Sequence, residues 1–265
     1  MNPPSFTEQE IELEVAGMSR KALVRTPPRL SRRPALVIAL AVDRHATLNG
    51  EWFNIVPNIF LAAGHRVASF DMPYHGELAL PDAEGLVAMA QAISRGEDCF
   101  TEVRAVGKAL IDYCLERGLA SEERIVLNGT SRGGLASLHL MAAEPRVLAC
   151  AVHAPVTDLT TLVEFRAVAS HPMTGRMAAA ALVPQLVDRP VFITIGTRDP
   201  RVSTERCLEF YALLAAGCRK VEPVLFMSEG ESHGNTCFPG AGYDAAAAFL
   251  LQQCALQSKE PIEGL

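Results

Sequence analysis

The chain has 265 residues, 49% of them apolar and 20% charged. That balance excludes a disordered or collagen-like polymer and is enough for one or two packed domains. Its 24 basic and 30 acidic residues leave a net charge of −6, with no basic run to neutralise phosphates, so no nucleic-acid partner is expected.

In chain order, two short alternating runs, residues 11–15 and 21–25, predict a hairpin. Residues 35–42 form a continuous apolar run, the pattern of a strand buried on both faces of a parallel sheet. An amphipathic segment over 51–63 reads as helix and stops at Gly64. Residues 66–70 read as strand. Over 100–117, Val103, Val106, Leu110 and Tyr113 recur at helical spacing before Gly118. Strands follow at 124–128 and 147–153, with a helix over 135–143 between them. A strand at 191–195 precedes a helix marked by Cys207, Phe210, Tyr211 and Leu214 and closed by Gly217. The last strand is 221–227 and the last helix 243–254.

Strand–helix alternation after the first hairpin implies a mostly parallel sheet covered by helices on both faces. No repeat or linker divides the chain, so residues 1–265 are read as one domain. Two excursions fit the alternation poorly, 72–99 and 154–189. Both leave from carboxyl ends of strands, where open α/β sheets bind ligands, so both are candidate lid-like walls of a site.

Seven cysteines, scattered and without a C-x-x-C pair, predict neither a disulfide framework nor a zinc site. No basic-then-apolar leader opens the chain, and no apolar run approaches the roughly 18–20 residues that span a membrane. The expected setting is the cytoplasm, with no membrane partner.

The chemistry sits at Gly129-Thr130-Ser131-Arg132-Gly133, a G-x-S-x-G nucleophile elbow. A serine lifted on a tight strand-to-helix turn needs glycines two residues either side, because neighbouring backbone approaches too closely for a Cβ. Gly230-Glu231-Ser232-His233-Gly234 matches the same pattern. Only Ser131 stands between an apolar strand and an apolar helix, whereas Pro239 and Gly240 soon follow Ser232. A serine hydroxyl needs a base, and the base an orienting acid. Asp199 follows the strand at 191–195 and His233 the last strand, in the chain order such an elbow requires. Asp158, after the strand ending at His153, is the alternative acid. His75 reads as a turn residue, His153 as a packed histidine that lines the site at most, and His139 as core. No histidine pair has metal-ligand spacing, so neither metal nor cofactor is expected.

Together with Asp71-Met72-Pro73-Tyr74-His75-Gly76-Glu77 after an early strand, these motifs resemble the α/β-hydrolase superfamily over nearly the whole chain. The Ser-Arg-Gly-Gly elbow and Ala154-Pro155-Val156-Thr157-Asp158-Leu159 look most like its prolyl-oligopeptidase-type and dienelactone-hydrolase-type branches. The resemblance implies a mostly parallel sheet of about eight strands with helices on both faces and a small cap or lid. It also implies an oxyanion hole from the backbone N–H of Arg132 and of Val42 or Asp43. Many relatives carry a His-Gly pair where this chain has Leu40-Ala41-Val42-Asp43-Arg44-His45, so Asp43, Arg44 and His45 are candidates for touching substrate instead.

The expected function is that of a serine hydrolase cleaving a small-molecule ester through an acyl-enzyme on Ser131, with His233 as base and Asp199 as its orienter. An aminopeptidase, amidase, thioesterase or acyltransferase would use the same residues, and a non-catalytic binding protein is the third reading. Arg132, Arg198 and Arg44 are candidates for holding a carboxylate substrate, against the plainer reading that they are solvated or make structural ion pairs. Met89, Phe165, Met173 and Met177 are candidates for an apolar wall, whereas Trp52 is expected to pack on the first helix. The partner is a small acyl substrate, and the sequence leaves room for a homo-oligomer.

Overall fold

The computed structural model describes residues 4–83, 85–233 and 241–256. Gly234, Cys237, Pro239 and Gly240 lie outside the described residues. Strands β1 (Thr7–Val15) and β2 (Met18–Thr26) pair antiparallel over their full length. They turn through Ala16 and Gly17, both at positive φ (50° and 78°), the backbone sense that suits a two-residue hairpin. The hairpin is longer than its alternating core because the charged residues of β1 keep pairing after its apolar face has ended.

Strand β3 (Leu36–Leu40) is buried throughout. Two helices follow where the sequence predicts one: α1 (Arg44–Asn49) and α2 (Ile55–Ala62). Asp43 starts the first by accepting the N–H groups of His45 and Ala46 at 2.9 and 2.8 Å. Gly50 ends it in a close turn, where a Cβ would stand 2.7 Å from Ala46 O.

The chain continues through β4 (Arg66–Phe70), α3 (Gly85–Ser94), α4 (Phe100–Glu116), β5 (Ile125–Thr130), α5 (Arg132–Ala143) and β6 (Val147–His153). Two short helices, α6 (Pro172–Met177) and α7 (Val183–Leu186), interrupt the path to β7 (Val191–Gly196). Then come α8 (Thr204–Gly217), β8 (Val224–Ser228) and α9 (Ala241–Leu256).

Among the described residues eight strands form one sheet, in the order β1-β2-β4-β3-β5-β6-β7-β8. Only the pairs β1/β2 and β2/β4 are antiparallel; β4, β3, β5, β6, β7 and β8 run parallel. One face is covered by an apolar core with residues from α3, α4, α5 and α8, the other by a core with residues from α1, α2 and α9. Burial on both sides explains why the central strands read as unbroken apolar runs.

The strand order reverses at β3, with β4 on one side and β5 on the other, which places the ligand crevice at the carboxyl ends of β3 and β5. There the first turn of α5 lies directly on the end of β3. A Cβ on Gly133 would overlap Leu40 O and stand 2.7 Å from Ala41 Cα. Gly96, by contrast, has positive φ (+81°) but nothing within 4 Å of a Cβ. Gly133→Ala is therefore expected to lose at least about 3 kcal/mol in urea unfolding or to fail to fold, whereas Gly96→Ala loses only about 1 kcal/mol.

Candidate active site

Ser131 caps α5 with φ 55° and ψ −118°, a conformation that non-glycine residues seldom adopt. The end of β6 and the loop after it hold it there: its N–H donates to His153 O at 2.8 Å, and its C=O accepts from Val156 N at 3.1 Å. Gly129 completes the turn, since a Cβ there would overlap Gly133 O and Ser137 Oγ. The turn aims the Ser131 hydroxyl and the free N–H groups of the first turn of α5 into the same crevice.

Ser131 Oγ stands 2.9 Å from His233 Nε2, and His233 Nδ1 stands 2.9 Å from Asp199 Oδ2. Asp199 also accepts His233 N–H on Oδ2 at 3.1 Å, and on Oδ1 the N–H groups of Arg201 and Val202 at 2.8 and 3.1 Å. Burial alone would raise its pKa. The His233 ring and these backbone donors outweigh that and lower it to about 2. An ionised Asp199 requires the proton of His233 on Nδ1, which leaves Nε2 free to accept from the Ser131 hydroxyl. The three residues that the sequence places on separate loops are thus one hydrogen-bonded chain.

A cavity of about 530 Å³ opens over Ser131. Ala41, Val42, Trp52, Phe53, Leu86, Val87 and Ala154 give it apolar walls, and Thr130, Arg132, His75, Glu164, Ser232, His233 and Tyr243 add polar groups. The lining includes His75, Gly85, Leu86 and Val87 from residues 72–99 and Ala154 and Glu164 from residues 154–189.

Several expected contacts are not made. Arg44 lies outside the cavity lining, buried against Asp71 (2.7 Å), Glu10 (2.8 Å) and Glu77 (2.9 Å), because a desolvated guanidinium needs anionic partners. His45 is exposed on α1 near Glu10, and the Asp43 side chain is spent on capping that helix. Val42 lines the cavity, but its N–H donates to Thr47 Oγ1 at 3.1 Å.

His153 is fully buried, bonded to Asn128 Oδ1 (2.9 Å) and Thr194 Oγ1 (3.0 Å) and stacked on Tyr243. Burial lowers its pKa to about 3, so it is a neutral bridge across β5, β6 and β7. Ser232 of the second elbow-like pattern accepts Gly196 N–H. Asp158 caps a turn at Thr160, far in role from His233. Met89, Phe165 and Met177 are core, whereas Trp52, 42% exposed, lines the cavity and corrects the expectation that it only packs α2. His75, Glu164 and Tyr243 also escape the sequence reading: each reaches the cavity from a different segment, and no local spacing marks that.

The family model described as the prolyl oligopeptidase family matches residues 95–256. No curated protein matches the chain. Among solved structures, a cold-adapted esterase from an Arctic intertidal metagenomic library is 19% identical, with 94% of each chain covered and a TM-score of 0.68. A Pyrococcus furiosus esterase is 18% identical, with 93% of each chain covered and a TM-score of 0.67. A prolyl endopeptidase is 18% identical over 97% of this chain but only 40% of its own, with a TM-score of 0.69. At such identities these likenesses establish the α/β-hydrolase fold.

The lowered pKa of Asp199 ties stability to pH. A carboxylate at about 2 folded, against about 3.9 unfolded, contributes about 2 kcal/mol above pH ~4 and loses it as pH falls through ~2. Asp199→Asn should flatten that part of the acid-unfolding profile; urea melts at a series of pH values from neutral to strongly acidic would register it.

Proposed function

This chain belongs to the prolyl oligopeptidase family, and from that premise we propose that it is a serine hydrolase cleaving small-molecule esters through a Ser131–His233–Asp199 triad. The observation that carries the reading is the unbroken chain Ser131 Oγ, His233 Nε2, His233 Nδ1, Asp199 Oδ2, each link 2.9 Å.

Ser131 Oγ attacks the ester carbonyl while its proton passes to His233 Nε2, and Asp199 stabilises the imidazolium and holds the ring. The carbonyl oxygen becomes an oxyanion facing the backbone N–H of Arg132, which as the first residue of α5 has no acceptor within the helix. The second donor in this reading is the Asp43 N–H at the end of β3, since the Val42 N–H is engaged by Thr47 Oγ1. As the carbon–oxygen bond breaks, the leaving alcohol takes the proton from His233. Water then gives its proton to the same nitrogen and attacks the acyl carbon; as the acyl–Oγ bond breaks, His233 returns that proton to Ser131 Oγ and the acid leaves.

The cavity volume suits a small acyl substrate rather than a folded polypeptide. Its apolar walls of Trp52, Phe53, Leu86 and Val87 favour an aliphatic or aromatic acyl chain. No step calls on a metal or cofactor. A reducing cytoplasm is part of the same reading, since Cys99, Cys114, Cys150, Cys207 and Cys254 are buried free thiols. No described helix is long and apolar enough to cross a membrane.

Ser131→Ala should lower kcat on short p-nitrophenyl esters by at least about 10⁴-fold and abolish covalent labelling by a fluorophosphonate. Equal rates in variant and wild type would overturn the assignment. Turnover of peptide p-nitroanilides without any ester turnover would keep the triad and move the substrate class to amides.

A further inference from the structure

The side chain that ester cleavage leaves unexplained is Arg132. Its backbone belongs to the elbow, but the residue is only 6% exposed and its guanidinium turns into the fold. Other buried arginines have oxygen acceptors. Arg44 meets three carboxylates, and Arg25 meets Glu8, Leu48 O and Asn49 Oδ1. Arg66 donates to Leu119 O, and Arg124 to Cys254 O.

Among the described residues Arg132 has none of these. Its neighbours are the His75 ring, which Nη2 contacts closely, and Met89 Sδ, 3.9 Å from Nη1. Its Nε has no hydrogen-bond partner, and it makes no ion pair among the described residues. Burial draws its pKa down to about 10, which still leaves it charged at neutral pH. A buried cation without an anion is costly, and proteins seldom keep one without a use.

The position of the guanidinium suggests the use. Arg132, His75 and Gly85 line the same cavity as Ser131. His75 Nδ1 faces Pro73 O at 3.2 Å, so its proton is assigned there and Nε2 accepts from Arg132. The ring thus orients the guanidinium without neutralising it. Gly85, at φ +61°, keeps the wall thin: a Cβ there would stand 3.0 Å from His75 Cε1 and 3.4 Å from Arg132 Nη1. Among the described lining residues the acidic one, Glu164, is already held by both terminal nitrogens of Arg201, at 3.0 and 2.6 Å.

We propose that the Arg132 guanidinium, oriented by His75, is a carboxylate-binding subsite, and that the substrates are esters whose acyl chain ends in a free carboxylate. The subsite lies one arginine side chain away from the backbone N–H that faces the oxyanion. A half-ester of a short dicarboxylic acid spans that distance, its carbonyl at Ser131 and its carboxylate forked on the guanidinium. The inference rests on the serine-hydrolase reading for the reaction but on Arg132 alone for the charge.

The test compares mono-p-nitrophenyl glutarate with p-nitrophenyl pentanoate, which match in chain length and differ in charge. In wild type the ratio of kcat/KM, charged over neutral, should exceed that of Arg132→Gln by about 10- to 100-fold, with Arg132→Lys in between. A second readout needs no turnover. Monomethyl glutarate should raise the Tm of Ser131→Ala but not of the double variant Ser131→Ala, Arg132→Gln, and methyl pentanoate should raise neither. An unchanged ratio in an active Arg132→Gln enzyme, with equal Tm shifts in both backgrounds, overturns the subsite and leaves the hydrolase intact. If wild type turns over neither ester while the Tm difference persists, the hydrolase reading fails and the anion subsite stands.

Discussion

The close approach of α5 to the end of β3 governs the geometry around Ser131. Gly133 lies so near Leu40 O that no side chain fits between them. Because that gap is closed, the first turn of the helix and the carboxyl end of the neighbouring strand share one crevice, which brings Ser131, Arg132 and Val42 to a single cavity. The positive φ of Ser131 is the local cost of this arrangement. It is met by hydrogen bonds to His153 O at the end of β6 and from Val156 N in the loop after it, so the strain is held from the neighbouring strand and its exit loop. The same sheet sets the other two residues: Asp199 follows β7 and His233 follows β8, the two strands beyond β6 on the side away from β3.

What was legible in the sequence follows from how local each signal is. The apolar runs of β3, β5 and β6 announce two-sided burial, and β6 spans residues 147–153 as expected. The elbow was legible because its Gly-x-Ser-x-Gly spacing is local and lies between an apolar strand and an apolar helix, even though Gly133 answers Leu40 far along the chain, and Asp199 and His233 because each follows a strand. For Arg44 and His45 the sequence leaves substrate contact and structural pairing open, because their neighbours come from far along the chain. Nothing near Arg44 in sequence reveals that Glu10, Asp71 and Glu77 converge on it. Trp52 was misread for the related reason that the break between α1 and α2, set by the Asp43 cap and the turn at Gly50, leaves it in neither helix and at the cavity mouth.

His153 illustrates a different limit. A histidine at the end of an apolar strand beside the nucleophile reads first as core, with contact to the site left open. Its partners decide, and they lie on β5 and β7: Asn128 and Thr194 take both ring nitrogens, and Tyr243 covers the ring face. The ring thereby ties together the three strands whose ends carry Ser131, the Ser131 N–H acceptor His153 O, and the loop to Asp199. Its contribution to the site is rigidity, delivered from beneath.

Arg44 makes the parallel contribution from the side. Buried ion pairs roughly break even in stability, so their effect lies mainly in fixing geometry. Asp71 is the pivot: its Oδ1 accepts Arg44 N–H at 2.8 Å, and its Oδ2 accepts both Arg44 Nη1 at 2.7 Å and Glu77 N–H at 3.1 Å. These bonds join the start of α1, the end of β4 and the turn that carries His75. Met72 N–H donates to Val42 O at 3.0 Å within the same junction. The cluster therefore sets the distance between the end of β3 and the His75 turn, two walls of one cavity. Arg44, a candidate for touching substrate on sequence alone, instead positions from behind the histidine against which Arg132 rests.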